Sequence, residues 1–346
     1  MTTKLTRRSM LGTAALAGAS LALPAIPARA EGVDLVLSSW LPPRHPIVVD
    51  AIKPWAKDIE AATEGRVRIR VLAKPLGSPP AHFDMARDGV ADITYGLHSF
   101  TQDDRFKNSR VGQFSFLGND AVSMSEAFWT VYTEKLGAKE EHAGTHLLGL
   151  FNHGPGMIHN NKRPINKIED LQGLKMRVPG GYIADLMSHF GVETIFTPSG
   201  EVYEKLSRGV VDGVTFPYDA IASFNLADYL KYTTTIPGGI YNTTWFLVMN
   251  SGKWGSISPA DQEAINKLSG LAFATRVGKA WNGADERGKK AAADGGMVAE
   301  TAPQGVLDAI KEQAAVLEGQ WADSLGGDYD GRAALEEFRK QTGVSA

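Results

Sequence analysis

Residues 88–95 read DGVADITY, and residues 208–216 read RGVVDGVTF. Gly89-Val90-Ala91-Asp92 and Gly209-Val210-Val211-Asp212 stand 120 positions apart. Each follows a short helical stretch, Ala81–Arg87 or Glu201–Ser207, and each leads into a short apolar segment. The glycine reads as a left-handed helix cap with the valine tucked beneath it. The acid then precedes a strand with an aromatic at its end, Tyr95 in one copy and Phe216 in the other. Matching flanks make this one helix–cap–strand unit used in two related lobes.

Outward from the repeat, the order is α/β. Val33–Ser39 reads as a strand, Pro46–Thr63 as an amphipathic helix, and Arg66–Ala73 as an alternating strand. In LQGLKMRVPGG (171–181), Leu174, Met176 and Val178 alternate with Lys175 and Arg177, and Pro179-Gly180-Gly181 ends the run. Arg177 therefore stands at a strand end, directed away from the core. Ligands of open α/β sheets bind beyond the C-terminal strand ends, so Tyr95, Phe216 and Arg177 are expected at one cleft. Tyr241–Ser251 reads as a long strand. A helix capped by Ser258, with Pro259 at its first position, continues to about Ala293, roughly 50 Å if unbroken at 1.5 Å per residue. Helices at about 303–324 and 331–341 finish the chain.

Composition narrows the function. Thr6-Arg7-Arg8-Ser9-Met10-Leu11, the apolar run to Ile26 and Ala28-Arg29-Ala30 resemble a twin-arginine export signal, with cleavage expected after Ala30. Its removal leaves 32 basic against 39 acidic side chains. That net charge of −7 argues against a nucleic-acid partner, which needs a concentrated basic face. With no cysteine, there is no disulfide framework, thiol nucleophile or cysteine zinc site. An exported chain without staples must rely on its cores, and 43% hydrophobic residues suffice for two lobes.

Catalytic signatures are missing: no phosphate loop, G-x-S-x-G elbow or H-E-x-x-H. His142 and His146 have the i, i+4 spacing of metal ligands, but the intervening Gly144 marks a helix end and favours a surface pair. Asp328-Tyr329-Asp330-Gly331 holds two carboxylates of a calcium loop without the rest. His153-Gly154-Pro155-Gly156 has no accompanying nucleophile. No enzyme activity, cofactor or metal is expected.

Four stretches resemble the extracytoplasmic solute receptors of TRAP transporters, the DctP-like proteins: IEDLQGLKMRVPG (168–180), GEVYEKLSRGVVDG (200–213), LVMNSGKW (247–254) and LGSPPAHFDMARDGVADI (76–93). The resemblance implies a two-lobed periplasmic-binding-protein fold of type II-like α/β architecture, with crossing strands and a long C-terminal helix. Lobe I is then 31–153 plus about 243–280, and lobe II is 154–242 plus about 281–346. It implies a periplasmic receptor that delivers a small organic acid to the small and large integral-membrane TRAP subunits. Arg177 matches the family's carboxylate-binding arginine by its place in GLKMRVP, and a guanidinium fork suits both oxygens of a carboxylate. Two departures bear on the ligand: Phe216 stands where many relatives have a polar residue, and Met157 where some have a second arginine. Trp40, Tyr95, Phe216, Tyr218 and Trp245 gather at expected cleft edges, with His159 and Asn160 as further polar candidates. The set favours a monocarboxylate with an apolar or aromatic body. A ligand sensor for a signalling receptor on the same fold is the alternative, and an exported enzyme a remote one.

Overall fold

The computed structural model describes residues 32–101 and 103–344; the export signal expected at 1–30 lies outside them. Among the described residues eleven strands form: β1 Val33–Ser38, β2 Val67–Val71, β3 Ile93–Leu97, β4 Thr145–Asn152, β5 Met157–Asn160, β6 Lys175–Val178, β7 Glu193–Phe196, β8 Gly213–Phe216, β9 Tyr232–Thr235, β10 Thr244–Asn250 and β11 Val298–Thr301. They make two sheets, ordered β2-β1-β3-β10-β4 and β7-β6-β8-β5-β9-β11. In each sheet the first three strands run parallel and the next two pairings, third to fourth and fourth to fifth, are antiparallel. One plan is built twice, with β11 added to the second sheet. The chain crosses between the lobes from β4 to β5, from β9 to β10, and along a long helix to β11.

The repeat extends to individual hydrogen bonds. Gly89 N–H donates to Ala86 O and Val90 N–H to Met85 O; Gly209 N–H donates to Leu206 O and Val210 N–H to Lys205 O. Both glycines take positive φ, 76° and 68°, as a left-handed cap requires. One expectation is corrected. Val90 and Val210 are 60% and 45% exposed, and the buried residues are Ala91 and Val211. The chain enters the strand one residue later, so that residue meets the core. Asp92 and Asp212 then clamp a neighbouring strand, accepting from Val36 N–H at 2.7 Å and Lys175 N–H at 3.0 Å. This correspondence makes Val36 the counterpart of Lys175 and Ser38 the counterpart of Arg177.

Three elements differ from the sequence expectation. The first helix opens as a π-type turn, Ile47–Ile52, before becoming regular at Lys53–Ala62. Pro54 lacks the amide hydrogen that would continue the regular ladder. The single helix expected over 258–293 is two, Pro259–Leu268 and Leu271–Asp294. Gly270, at φ 61°, turns the chain there, and its N–H bonds to Leu148 O at 2.7 Å. The second helix is 24 residues, roughly 36 Å. Its Gly278 packs against Val122 in the first lobe, and its Gly288 against the Tyr218–Asp219 backbone in the second. Finally, His142 is not a surface residue: it is 1% exposed, with its Nε2 3.0 Å from His98 Nε2. His146 stacks on Trp254, ring centroids 3.6 Å apart.

Candidate ligand-binding site

Where the C-terminal strand ends of the two sheets meet, Trp40, Leu41, His45, Leu97 and Phe100 from one lobe face Arg177, Phe216, Asp219 and Phe224 from the other. The crossing segments contribute His153, Tyr241, Thr243 and Trp245, and the long helix Trp281. The cavity volume is about 40 Å³, room for about three waters at 10–15 Å³ each.

Arg177 lies on β6 between β7 and β8, at the register Ile195–Arg177–Val214. It is 2% exposed. Its Nε donates to Thr197 O at 2.8 Å and its Nη1 to Thr215 O at 3.5 Å. The guanidinium carbon lies 4.2 Å from the Phe216 ring centroid, a cation–π contact that orients the plane. No carboxylate pairs with it among the described residues. Burial lowers its pKa to about 10, so it remains a cation at neutral pH. Two backbone carbonyls and one ring face hold it, and none of them neutralises its charge.

The aromatic walls are organised as stacks. Trp40 and Trp245 are parallel within 2°, centroids 5.4 Å apart, and Trp245 lies 6.0 Å from Trp281. Phe216 stacks on Phe224 at 5.9 Å. Each indole N–H of the first pair is already used, Trp40 Nε1 on Tyr95 O at 3.0 Å and Trp245 Nε1 on Thr243 Oγ1 at 2.8 Å. These rings therefore present their carbon faces to the cavity.

The sequence candidates separate into two groups. Arg177, Phe216, Trp40 and Trp245 line the cavity. Tyr95, Tyr218, His159 and Met157 do not. Tyr95 is fully buried behind Trp40; its hydroxyl bonds Ser39 Oγ at 2.7 Å and accepts from Leu41 N–H at 3.2 Å, pinning the loop that carries Trp40. His159 Nε2 donates to Phe216 O at 3.1 Å and its Nδ1 accepts from the Thr233 hydroxyl at 2.9 Å, so it holds β8 from behind. Met157 and Tyr218 line a separate cavity with Asp120 and Asp285. Their places on or beside β5 and β8 were legible, but not the face each side chain takes.

Sequence reasoning missed His45, Asp219, Tyr241, Phe224 and Trp281. Asp219 had a signal, since it follows Phe216 by three residues at an expected cleft edge. Tyr241 donates its hydroxyl proton to Thr215 O at 2.9 Å, the carbonyl that Arg177 also approaches. His153 uses both nitrogens structurally, donating from Nδ1 to Gly154 O and accepting Thr243 N–H at Nε2, 3.1 Å; burial lowers its pKa to about 4. Among the described residues, no cluster of His, Asp and Glu has the makings of a metal site, and no helix is long and apolar enough to cross a membrane.

Residues 37–322 match the family described as bacterial extracellular solute-binding protein, family 7. Among solved structures, a TRAP periplasmic solute-binding protein from Bordetella bronchiseptica with bound (R)- and (S)-mandelate is 38% identical. The match covers 90% of this chain and 99% of that one, with a TM-score of 0.87. A marine-metagenome TRAP solute-binding protein specific for aromatic acids, in complex with 3-hydroxybenzoate, is 29% identical over 90% and 98% of the two chains, TM-score 0.83. One from Rhodoferax ferrireducens with copurified benzoate is 26% identical over 90% and 98%, TM-score 0.83.

Proposed function

Since the chain belongs to family 7 of the bacterial extracellular solute-binding proteins, a family of non-catalytic periplasmic receptors, we propose that it captures a monocarboxylate with an aromatic body and hands it to TRAP membrane subunits. One observation carries this reading: Arg177 is a buried cation without an acidic partner among the described residues, laid on Phe216 in a cavity walled by indole and phenyl rings. The carboxylate takes the free edge of the guanidinium in a forked pair. The ring of the acid lies among Trp40, Trp245 and Phe216, where apolar burial and stacking add to the binding energy. The aromatic acids bound by the three similar structures agree with such walls.

Capture is a lobe movement. The cavity walls come from both lobes, so the ligand enters an open form and stabilises the closed one by bridging. The lobes divide near residues 153 and 243 and along the long helix, and the export signal is removed after Ala30.

A thermal-shift panel followed by calorimetry tests the reading. Benzoate, phenylacetate and mandelate are expected to raise the melting temperature of the ligand-stripped protein, while succinate and sialic acid leave it unchanged. A shift confined to dicarboxylates or sugar acids would overturn the aromatic assignment.

A further inference from the structure

We propose that His45 and Asp219 form a second polar contact in this cavity, one that selects monocarboxylates bearing a hydroxyl group. The inference rests on the aromatic-acid reading above and adds a determinant separate from Arg177. His45 lies in the loop after β1 of one lobe. Asp219 opens the short helix Asp219–Ser223 that follows β8 in the other. Both line the cavity, and their side chains are 1% and 2% exposed.

The proton on His45 can be placed. Ile47 N–H donates to His45 Nδ1 at 3.3 Å, so Nδ1 is an acceptor and the ring proton sits on Nε2. Nε2 lies 3.6 Å from Asp219 Oδ2, too far for a hydrogen bond. Among the described residues the same oxygen receives one long side-chain contact, from Ser223 Oγ at 3.5 Å. Asp219 is nevertheless held in place, because its backbone N–H donates to Asp285 Oδ1 at 2.8 Å. A donor and an acceptor thus stand side by side at the cavity wall, each underused.

A hydroxyl is the group that completes this pair. Its oxygen, about 2.8 Å from each atom, accepts the Nε2 proton and donates its own to the Asp219 carboxyl. An ammonium has no lone pair for Nε2–H, whereas a hydroxyl oxygen offers both a lone pair and a proton. Tyr241 ties this contact to the anion site. Its hydroxyl donates to Thr215 O at 2.9 Å, the carbonyl that Arg177 Nη1 approaches at 3.5 Å, and Tyr241 lines the same cavity as Asp219.

The test compares matched acids by calorimetry on the ligand-stripped protein: mandelate, phenylacetate and phenylglycine, then 3-hydroxybenzoate and benzoate. In at least one set the hydroxylated acid is expected to bind about 10-fold tighter or more, the worth of one good hydrogen bond. In Asp219→Leu, and independently in His45→Phe should the first variant fail to fold, that ratio is expected to fall to roughly 3-fold or less. A wild-type ratio near one in both sets, tighter binding of phenylglycine than mandelate, or an undiminished ratio in the variants would overturn the proposal. Wild-type protein that binds none of the five acids would overturn the aromatic-acid reading itself.

Discussion

Arg177 carries an unusual burden for a single side chain. Its burial is unfavourable on its own, yet Thr197 O would lose its Nε–H donor on substitution, while Thr215 O keeps the Tyr241 hydroxyl. Each of these opposing effects is on the order of 1–3 kcal/mol. Arg177→Met is therefore expected to leave the melting temperature of the ligand-free protein within a few degrees of wild type. The same variant is expected to weaken aromatic-acid binding at least about 100-fold, since a buried anion without its partner costs roughly 3–5 kcal/mol. Calorimetry and a melting curve on one preparation check both halves, and retained wild-type affinity would remove Arg177 from the site. Its counterpart in the first lobe is Ser38, bonded to His82 at 3.2 Å. The twofold plan thus places one cation, not two, at the paired strand ends.

At the scale of elements, the long helix sets the cleft from behind. Gly288 sits where any side chain would meet the Tyr218–Asp219 backbone, with the Asp219 amide nitrogen 2.8 Å from the position of a Cβ. Gly288→Ala is expected to cost about 1–3 kcal/mol through forced displacement and to weaken ligand binding by moving Asp219. Gly283, five residues earlier in the same helix, meets only the tip of Arg287 at 3.6 Å. Gly283→Ala is expected to stabilise by about 0.5–1 kcal/mol, the backbone entropy recovered in a helix interior. Parallel melting curves distinguish the two: equal effects would mean that helix propensity, not close approach, governs this face. The break at Gly270 belongs to the same logic, because it bends the chain so that the second segment reaches both lobes.

The whole molecule buries many titratable groups, and their signs oppose. Burial lowers the pKa of His45 to about 3 and of His142, His153 and His159 to about 4; His98 is also held well down, by burial and by His142. The unfolded chain takes up these protons near pH 6.5, before the folded one does. Stability from the histidines is therefore complete above about 6.5 and lost as the pH falls towards 4. Burial raises Glu141 and Asp285 to about 7, and Asp219 well above its usual value. The folded protein keeps these protons after the unfolded one has released them near 4, so their contribution declines as the pH rises from about 4 to 7 and above. Below 6.5 the histidines outnumber the carboxyls; above it only the carboxyls still change. The melting temperature is expected to peak near pH 6.5 and to drop by at least about 5 °C at pH 4.5, a few kcal/mol at about 2–4 °C each. A melting series from pH 4 to 8 checks this, and a steady rise on acidification would refute it.

By itself the sequence determined the α/β plan, the repeated cap-and-strand unit and the strand-end place of Arg177. These depend on local facts: glycine tolerates the left-handed cap, alternation marks a strand, and Pro-Gly-Gly ends one. Family likeness in GLKMRVP added the role expected of the arginine. Tertiary structure alone decided which neighbours share the cavity. Tyr95 was expected at a strand end beside Trp40, but it lies in the middle of β3 with its ring sealed behind that of Trp40. Met157 and Tyr218 flank the Phe216 strand end and open onto a different space. His45 and Asp219 are 174 positions apart, and no pattern along the chain links them. They meet because two lobes close on each other, and contact across a cleft is a property of packing rather than of either strand.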